Sequence, residues 1–409
     1  MRIIYNFLML NDLKKRKGGN KVSLRECASA NDAFRKLQEV YQDREAALAA
    51  LASGGKILIG ELGADVPEEL ILAAGAQGFR LWSDVTTGSE YADRYLEYAF
   101  DPMIRSQFNT LASGKILDFC SHVVISNSTD ALIRTYLYLR EMKRTEPDSL
   151  LPEITFIDWL FTRRELYRRR NRDTLELFAK TLEDMTGNTI TDSSVSEAMR
   201  ICSMNRSALR RMNELRLSGH ILGSEALVMI GAGFFLPKEE HTRLINQVCA
   251  DAVSWPVSTR CRIFFTGSAQ EDTSLYTLLE DLGADVIAED HDWGSRSFDG
   301  CYPDKEPAMQ AVVDRYMYRS FSSKKAFVSQ RVEELAGQVS FSGAQGVLFY
   351  NNKYDEPASW DYPSQKQYFD QKGIPSLSLI KQPYPAALTD DLSDTLTEFI
   401  RSCTKGKEV

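Results

Sequence analysis

Apolar positions along this chain come in two textures. Short unbroken runs are closed off by glycine or polar turns, and longer stretches return an apolar side chain every three or four residues; the first predicts buried strands and the second one-faced helices. Residues 31–50 carry Phe34, Leu37, Val40, Ala47 and Leu48 among charges, which predicts helix, and residues 1–53 read as a helical N-terminal cap. Gly54-Gly55 leads into the strand Lys56-Ile57-Leu58-Ile59-Gly60, and Pro67 opens a helix over 67–74 whose first turn accepts it. The unit recurs at 122–126, with a helix over 131–143, and strands follow at 262–267, 284–289, 346–350 and 376–380. Six strands alternating with helices predict an α/β fold of parallel sheets covered on both faces.

Residues 162–217 break that alternation. They are rich in Arg and Glu, with Leu175, Phe178, Leu182 and Met185 at helical steps; Gly187-Asn188 ends one helix and Thr191-Asp192-Ser193-Ser194 caps the next. The chain therefore divides into the cap 1–53, a first α/β domain 54–161, a helical connector 162–217 and a second α/β domain 218–409. No solenoid repeat or low-complexity tract interrupts this order.

Composition narrows the classes. With 409 residues, 43% apolar and 26% charged, the chain is of ordinary globular make-up and long enough for two or three domains. Its net charge of −8 disfavours a nucleic-acid partner. Seven cysteines without a CxxC pair point to buried thiols in a reducing compartment. The apolar run 3–10 precedes the basic cluster 14–17, the reverse of a secretory leader, and no run approaches the ~20 apolar residues of a membrane span. The expectation is a cytoplasmic protein with no membrane partner.

Parallel sheets bind ligands beyond the carboxyl ends of their strands. That rule selects loops 61–66, 127–130, 268–273, 290–296 and 351–361. Asp290-His291-Asp292 is the densest polar cluster; it suits a hard divalent cation, an acid–base pair, or a solvated turn that caps a helix. His122, His220 and His241 stand alone and read as core or surface imidazoles. The run Arg163, Arg164, Arg168, Arg169, Arg170 and Arg172 could grip a phosphate-bearing cofactor such as coenzyme A, although Glu165, Asp173 and Glu176 fit it better as a solvated, self-paired helix. Neither GxxxxGK[ST] nor GxGxxG follows a strand, so ATP and NAD have no such loop here.

An ordered series of segments carries a resemblance. It runs from Val66-Pro67-Glu68-Glu69-Leu70-Ile71-Leu72-Ala73-Ala74-Gly75-Ala76 through Val123-Val124-Ile125-Ser126 into Thr129-Asp130, then Leu182-Glu183-Asp184-Met185-Thr186-Gly187 with Asn205-Arg206. It continues with Gly267-Ser268, Leu282-Gly283-Ala284-Asp285-Val286-Ile287-Ala288-Glu289-Asp290, Gly294-Ser295-Arg296, Asp314-Arg315-Tyr316, Gly346-Val347-Leu348-Phe349, Lys353-Tyr354 and Pro357. In this order they resemble the subunits of the 2-hydroxyacyl-CoA dehydratase and benzoyl-CoA reductase family, over about residues 54–385. The resemblance implies two Rossmann-like, doubly wound domains joined by helices and pairing with a related subunit. It also implies a [4Fe–4S] cluster on three cysteines, an ATP-hydrolysing iron–sulfur activator and an acyl-CoA substrate.

The family's three cysteine positions fall on Thr129, Asp292 and Asp355. One hydroxyl and two carboxylates replace soft thiolates, so the expectation is that this chain binds no cluster itself. Three readings follow. The chain supports a homologous, cluster-bearing partner; or Asp292, Asp355 and His291 act on a thioester with a hard metal or as acid and base; or the chain is a non-catalytic acyl-CoA binding or regulatory module. In each, Glu61, Ser126, Asp130, Ser268 and Arg296 are the expected substrate contacts.

Overall fold

Two parallel sheets of four strands frame the protein, which the computed structural model describes over residues 23–85, 88–303, 306–319 and 325–405. The run 3–10 and the cluster 14–17 lie outside these residues. The first sheet holds β1 (Leu58–Leu62), β2 (Gln77–Arg80), β3 (His122–Ser126) and β4 (Glu153–Ile157) in the order β2-β1-β3-β4. The second repeats that order, β6-β5-β7-β8, with β5 (Cys261–Gly267), β6 (Ala284–Glu289), β7 (Gly346–Asn352) and β8 (Ser376–Gln382). Every pairing is parallel. Each sheet therefore winds outward from its first strand, then crosses back to its third, as two Rossmann-like α/β units do.

Two of these strands carry no continuous apolar run. β2 buries only alternate side chains and β4 starts exposed, so neither is apolar throughout. The expected helix over 31–50 also breaks. Asn31 and Asp43 cap Asp32–Gln42 and Arg44–Ser53, their side chains accepting the N–H groups of Phe34 and Ala46 at 2.8 and 3.0 Å. The connector is two helices, Glu165–Thr186 and Asp192–Leu217, separated by left-handed Gly187 and a Thr191–Ser194 capping box.

Both faces of each sheet are covered. In the second, Ile263 and Phe265 pack with Leu275, Leu279 and Leu396 on one side, while Phe264 meets Leu335, Val339 and Phe369 on the other. In the first, Ile59 and Val124 face Phe178 and Leu182 of the connector together with Val312 and Val313. The helix Ala308–Tyr318, which follows β6 in sequence, thus closes the first sheet. The N-terminal helices join a separate core with Gly223–Ala232 and Lys238–Ala252, through Phe34, Leu37 and Tyr41.

The connector fastens the sheets by buried charge. Arg206 pairs with Glu68 and Glu69 just beyond β1, at 3.0 and 3.3 Å. Ten residues on, Arg216 pairs with Glu289 at the end of β6 and donates twice to the Val286 carbonyl; both side chains are 1% exposed. Arg216→Ala leaves Glu289 buried without its counter-charge and is expected to cost about 3–5 kcal/mol, read as a lower urea midpoint. Replacing both residues with apolar side chains of similar volume should recover most of it, and an unchanged midpoint in the single variant would refute the fastening role.

Candidate functional site

A cleft of about 1040 Å³ opens where the carboxyl edges of the two sheets meet. Glycines set its back wall. Gly63 after β1 and Gly267 ending β5 have φ of 101° and 125°, and a Cβ there would stand 2.4 Å from Ser126 Oγ or 2.3 Å from the Tyr350 carbonyl. Only glycine allows the chain to turn this close to the neighbouring strand. The two switch points, β1/β3 and β5/β7, consequently present their loops to one space.

Thr129, Asp292 and Asp355 all line that space. Each is already engaged. Thr129 is the N-cap of Asp130–Thr145, its Oγ1 accepting from the Leu132 N–H at 3.2 Å. Asp292 pairs with Arg296 at 3.2 Å, while its backbone carbonyl accepts from Arg80 at 2.6 Å. Burial pushes the Asp292 carboxyl up, but Arg296 and Arg80 outweigh it and hold the group low. Asp355 accepts from Ser268 Oγ, which in turn accepts from the Asn352 N–H at 2.9 Å. Burial raises the Asp355 carboxyl; the Ser268 hydrogen bond opposes this and the Asp292 charge adds to it.

The other expected residues divide between the cleft and its supports. Asp130, His291 and Arg296 line the cleft. His291 donates to or accepts from Tyr276 Oη at 2.9 Å, and burial pushes its imidazole down to about 4, so it stays neutral at physiological pH. Ser268 stands behind Asp355, and Ser126, fully buried, shares a 2.8 Å hydrogen bond with Ser128 Oγ and accepts from the Asp65 N–H. Glu61 faces a smaller, separate chamber.

Asp65, in the selected loop 61–66, and two groups that the loop rule passes over, Asp101 and Lys325, also stand in the cleft. Asp101 caps the helix Pro102–Ala112, and burial, then the Asp355 charge, pushes its carboxyl up to about 7. Asp65 pairs with Arg319 and Lys325 at 2.7 and 2.6 Å; burial alone would raise it, but these cations hold it well below the usual carboxylate range. Burial in turn lowers the Lys325 ammonium to about 8. Sequence offers one weak signal among them, the Asp101-Pro102 helix start.

A [4Fe–4S] cluster needs thiolates. Cys301 alone of the seven cysteines lines the cleft, and the other six are buried elsewhere. The side chains present do not fit that cluster. Nor do Asp292, Asp355 and His291 converge as metal ligands. Among the described residues the one such convergence within 4.8 Å is Glu68, Glu69 and Cys202, away from the cleft. Its carboxylates are occupied by Arg206 and by Lys238 at 2.8 Å, and burial raises the Cys202 thiol well above its ordinary value.

Comparison with known proteins bears on this arrangement. Residues 64–383 match the family model described as 2-hydroxyglutaryl-CoA dehydratase, D-component. The (R)-phenyllactyl-CoA dehydratase beta subunit of Clostridium sporogenes is 23% identical over 78% of this chain and 85% of its own length. The beta subunit of (R)-2-hydroxyglutaryl-CoA dehydratase from Acidaminococcus fermentans is 22% identical over 84% and 91%. A subunit of benzoyl-CoA reductase from Thauera aromatica is 23% identical over 48% and 53%. The match runs from the loop after β1 through the connector to the end of β8, and the chain belongs to the 2-hydroxyglutaryl-CoA dehydratase D-component family.

Proposed function

We propose that this chain is a subunit of a cytoplasmic 2-hydroxyacyl-CoA dehydratase-type or benzoyl-CoA reductase-type complex. It binds no [4Fe–4S] cluster itself and shapes the acyl-CoA site for a homologous partner that does, with an ATP-dependent iron–sulfur activator serving that partner. One observation carries this reading: Thr129, Asp292 and Asp355 line a single cleft, and each oxygen donor is tied down by a hydrogen bond or ion pair within the chain. The relatives are named as subunits, which supports a partner.

The cleft's chemistry suits a thioester with an anionic tail. Arg80, Arg210, Arg296, Arg319, Lys325 and Arg331 stand along it beside the apolar Leu62, Met103, Trp293 and Phe349. Arginine forks and an apolar wall are what phosphates and an acyl chain respectively require. Among the described residues no helix is long and apolar enough to cross a membrane.

Anaerobic reconstitution of the isolated chain with iron and sulfide is expected to leave it colourless, with iron well below one per chain. Co-expression with a cysteine-bearing homologue should yield a brown complex containing both. A stable cluster on the isolated chain would overturn the proposal. Within the complex, Arg296→Ala should weaken acyl-CoA binding by about tenfold or more, measured by calorimetry, since a charge-assisted contact contributes about 1.5–3 kcal/mol; unchanged affinity would exclude the cleft as the thioester site.

A further inference from the structure

Glu61 is the unusual charge of the first sheet. It lies within β1, beside Arg80 of β2 in the strand register, and its carboxyl reaches back over Gly78, where a Cβ would stand 1.9 Å from its Oε1. The missing side chain at 78 is what admits the carboxyl to the sheet face. Glu61 is only 9% exposed, yet among the described residues no donor hydrogen-bonds to its carboxyl and no cation pairs with it. The neighbouring Glu68 and Glu69, by contrast, are held by Arg206, Lys238 and Arg315.

The carboxyl faces a chamber of about 60 Å³, room for roughly four or five water molecules. Ala64, Arg80, Asp292, Arg296 and Arg319 line both this chamber and the main cleft, so the two share a wall. We propose that Glu61 and its chamber form a proton-holding annex of the cleft, exchanging a proton through water with the group bound beside Asp292 and Arg296. The Glu61 O–H bond breaks as one forms on the adjacent water, and a proton leaves the far end of the chain for the ligand; the return step restores the carboxyl, and no electrons are transferred. Such an annex serves any cleft ligand that gains or loses a proton, whatever its acyl group.

The electrostatics agree with this geometry. Burial, then the Glu68 charge, pushes the Glu61 carboxyl up to about 7 against Arg80 and Lys238, with Glu69 adding to the rise. His241, also on the chamber wall, is driven down to about 4 by burial and stays neutral. Tyr316 is raised well above its ordinary value, also chiefly by burial, and Cys202 likewise, so neither ionises near neutrality. Arg206, Arg296 and Arg319, each raised by neighbouring carboxylates or tyrosines against the effect of burial, keep their charge throughout that range.

Infrared titration of the full-length protein tests the annex. Subtracting the spectrum of Glu61→Gln from that of the unaltered protein should isolate one protonated-carboxyl C=O band, present at pH 6 and lost with a midpoint near 7. Gly78→Ala, which displaces the carboxyl from its cradle, should shift that midpoint toward ordinary carboxylate values. Asp292→Asn, which removes a negative charge from the shared wall, should also lower it. A Glu61 already ionised at pH 6 would overturn the proposal. A midpoint unmoved by Gly78→Ala would show that the carboxyl is not held there, and one unmoved by Asp292→Asn would separate the chamber from the cleft.

Discussion

Charge taken out of water must be paired within the protein, and that requirement determines how the two halves of this molecule meet. Arg206 and Arg216 of the long connector helix, with Arg319 and Lys325 beyond the helix Ala308–Tyr318, find their carboxylates in the first turn of the helix Glu68–Ala73, at the end of β6 and in the loop after β1. Hydrophobic burial covers each sheet separately. The ionic contacts act together with Trp293 and the helix Ala308–Tyr318, which reach from the second half into the first sheet's cores, to hold the carboxyl edges of the two sheets toward one space.

Within the cleft the same requirement governs the positions that the family resemblance assigns to cysteine. A thiolate set is satisfied by iron; an oxygen set must be satisfied by protein. Thr129 takes a helix N–H, Asp292 takes Arg296, and Asp355 takes the Ser268 hydroxyl. Each of the three lies at a helix start or beside a donor in the loop architecture, which is where its oxygen finds a partner.

Much of the frame was legible in the chain itself. The strands β1, β3, β5, β6, β7 and β8 are legible as short strand runs, and the connector's break at Gly187 follows from its turn chemistry. The strands β2 and β4 are not, since half-solvated strands lack that signature, and Asp43 falls inside the helix expected over 31–50, although its side chain caps a new helix there. At the site, the loop rule finds side chains that follow strands, such as Thr129, His291 and Asp292. It misses Lys325, whose partner Asp65 lies 260 residues earlier, because pairing at that range leaves no local pattern. It also misdirects Glu61, which looks like a loop residue but belongs to β1 and turns toward Gly78.

Arg206 and Arg216 ride on a single uninterrupted helix, at about 1.5 Å per residue some 15 Å apart along its axis. That rod acts as a gauge block between the lobes. Lengthening it by one residue between the two arginines would swing one of them about 100° around the axis and off its carboxylate. The gap between the lobes can thus change only in whole helical turns, so divergence in substrate size among proteins built this way has to come from the side chains on the walls rather than from the spacing of the walls themselves.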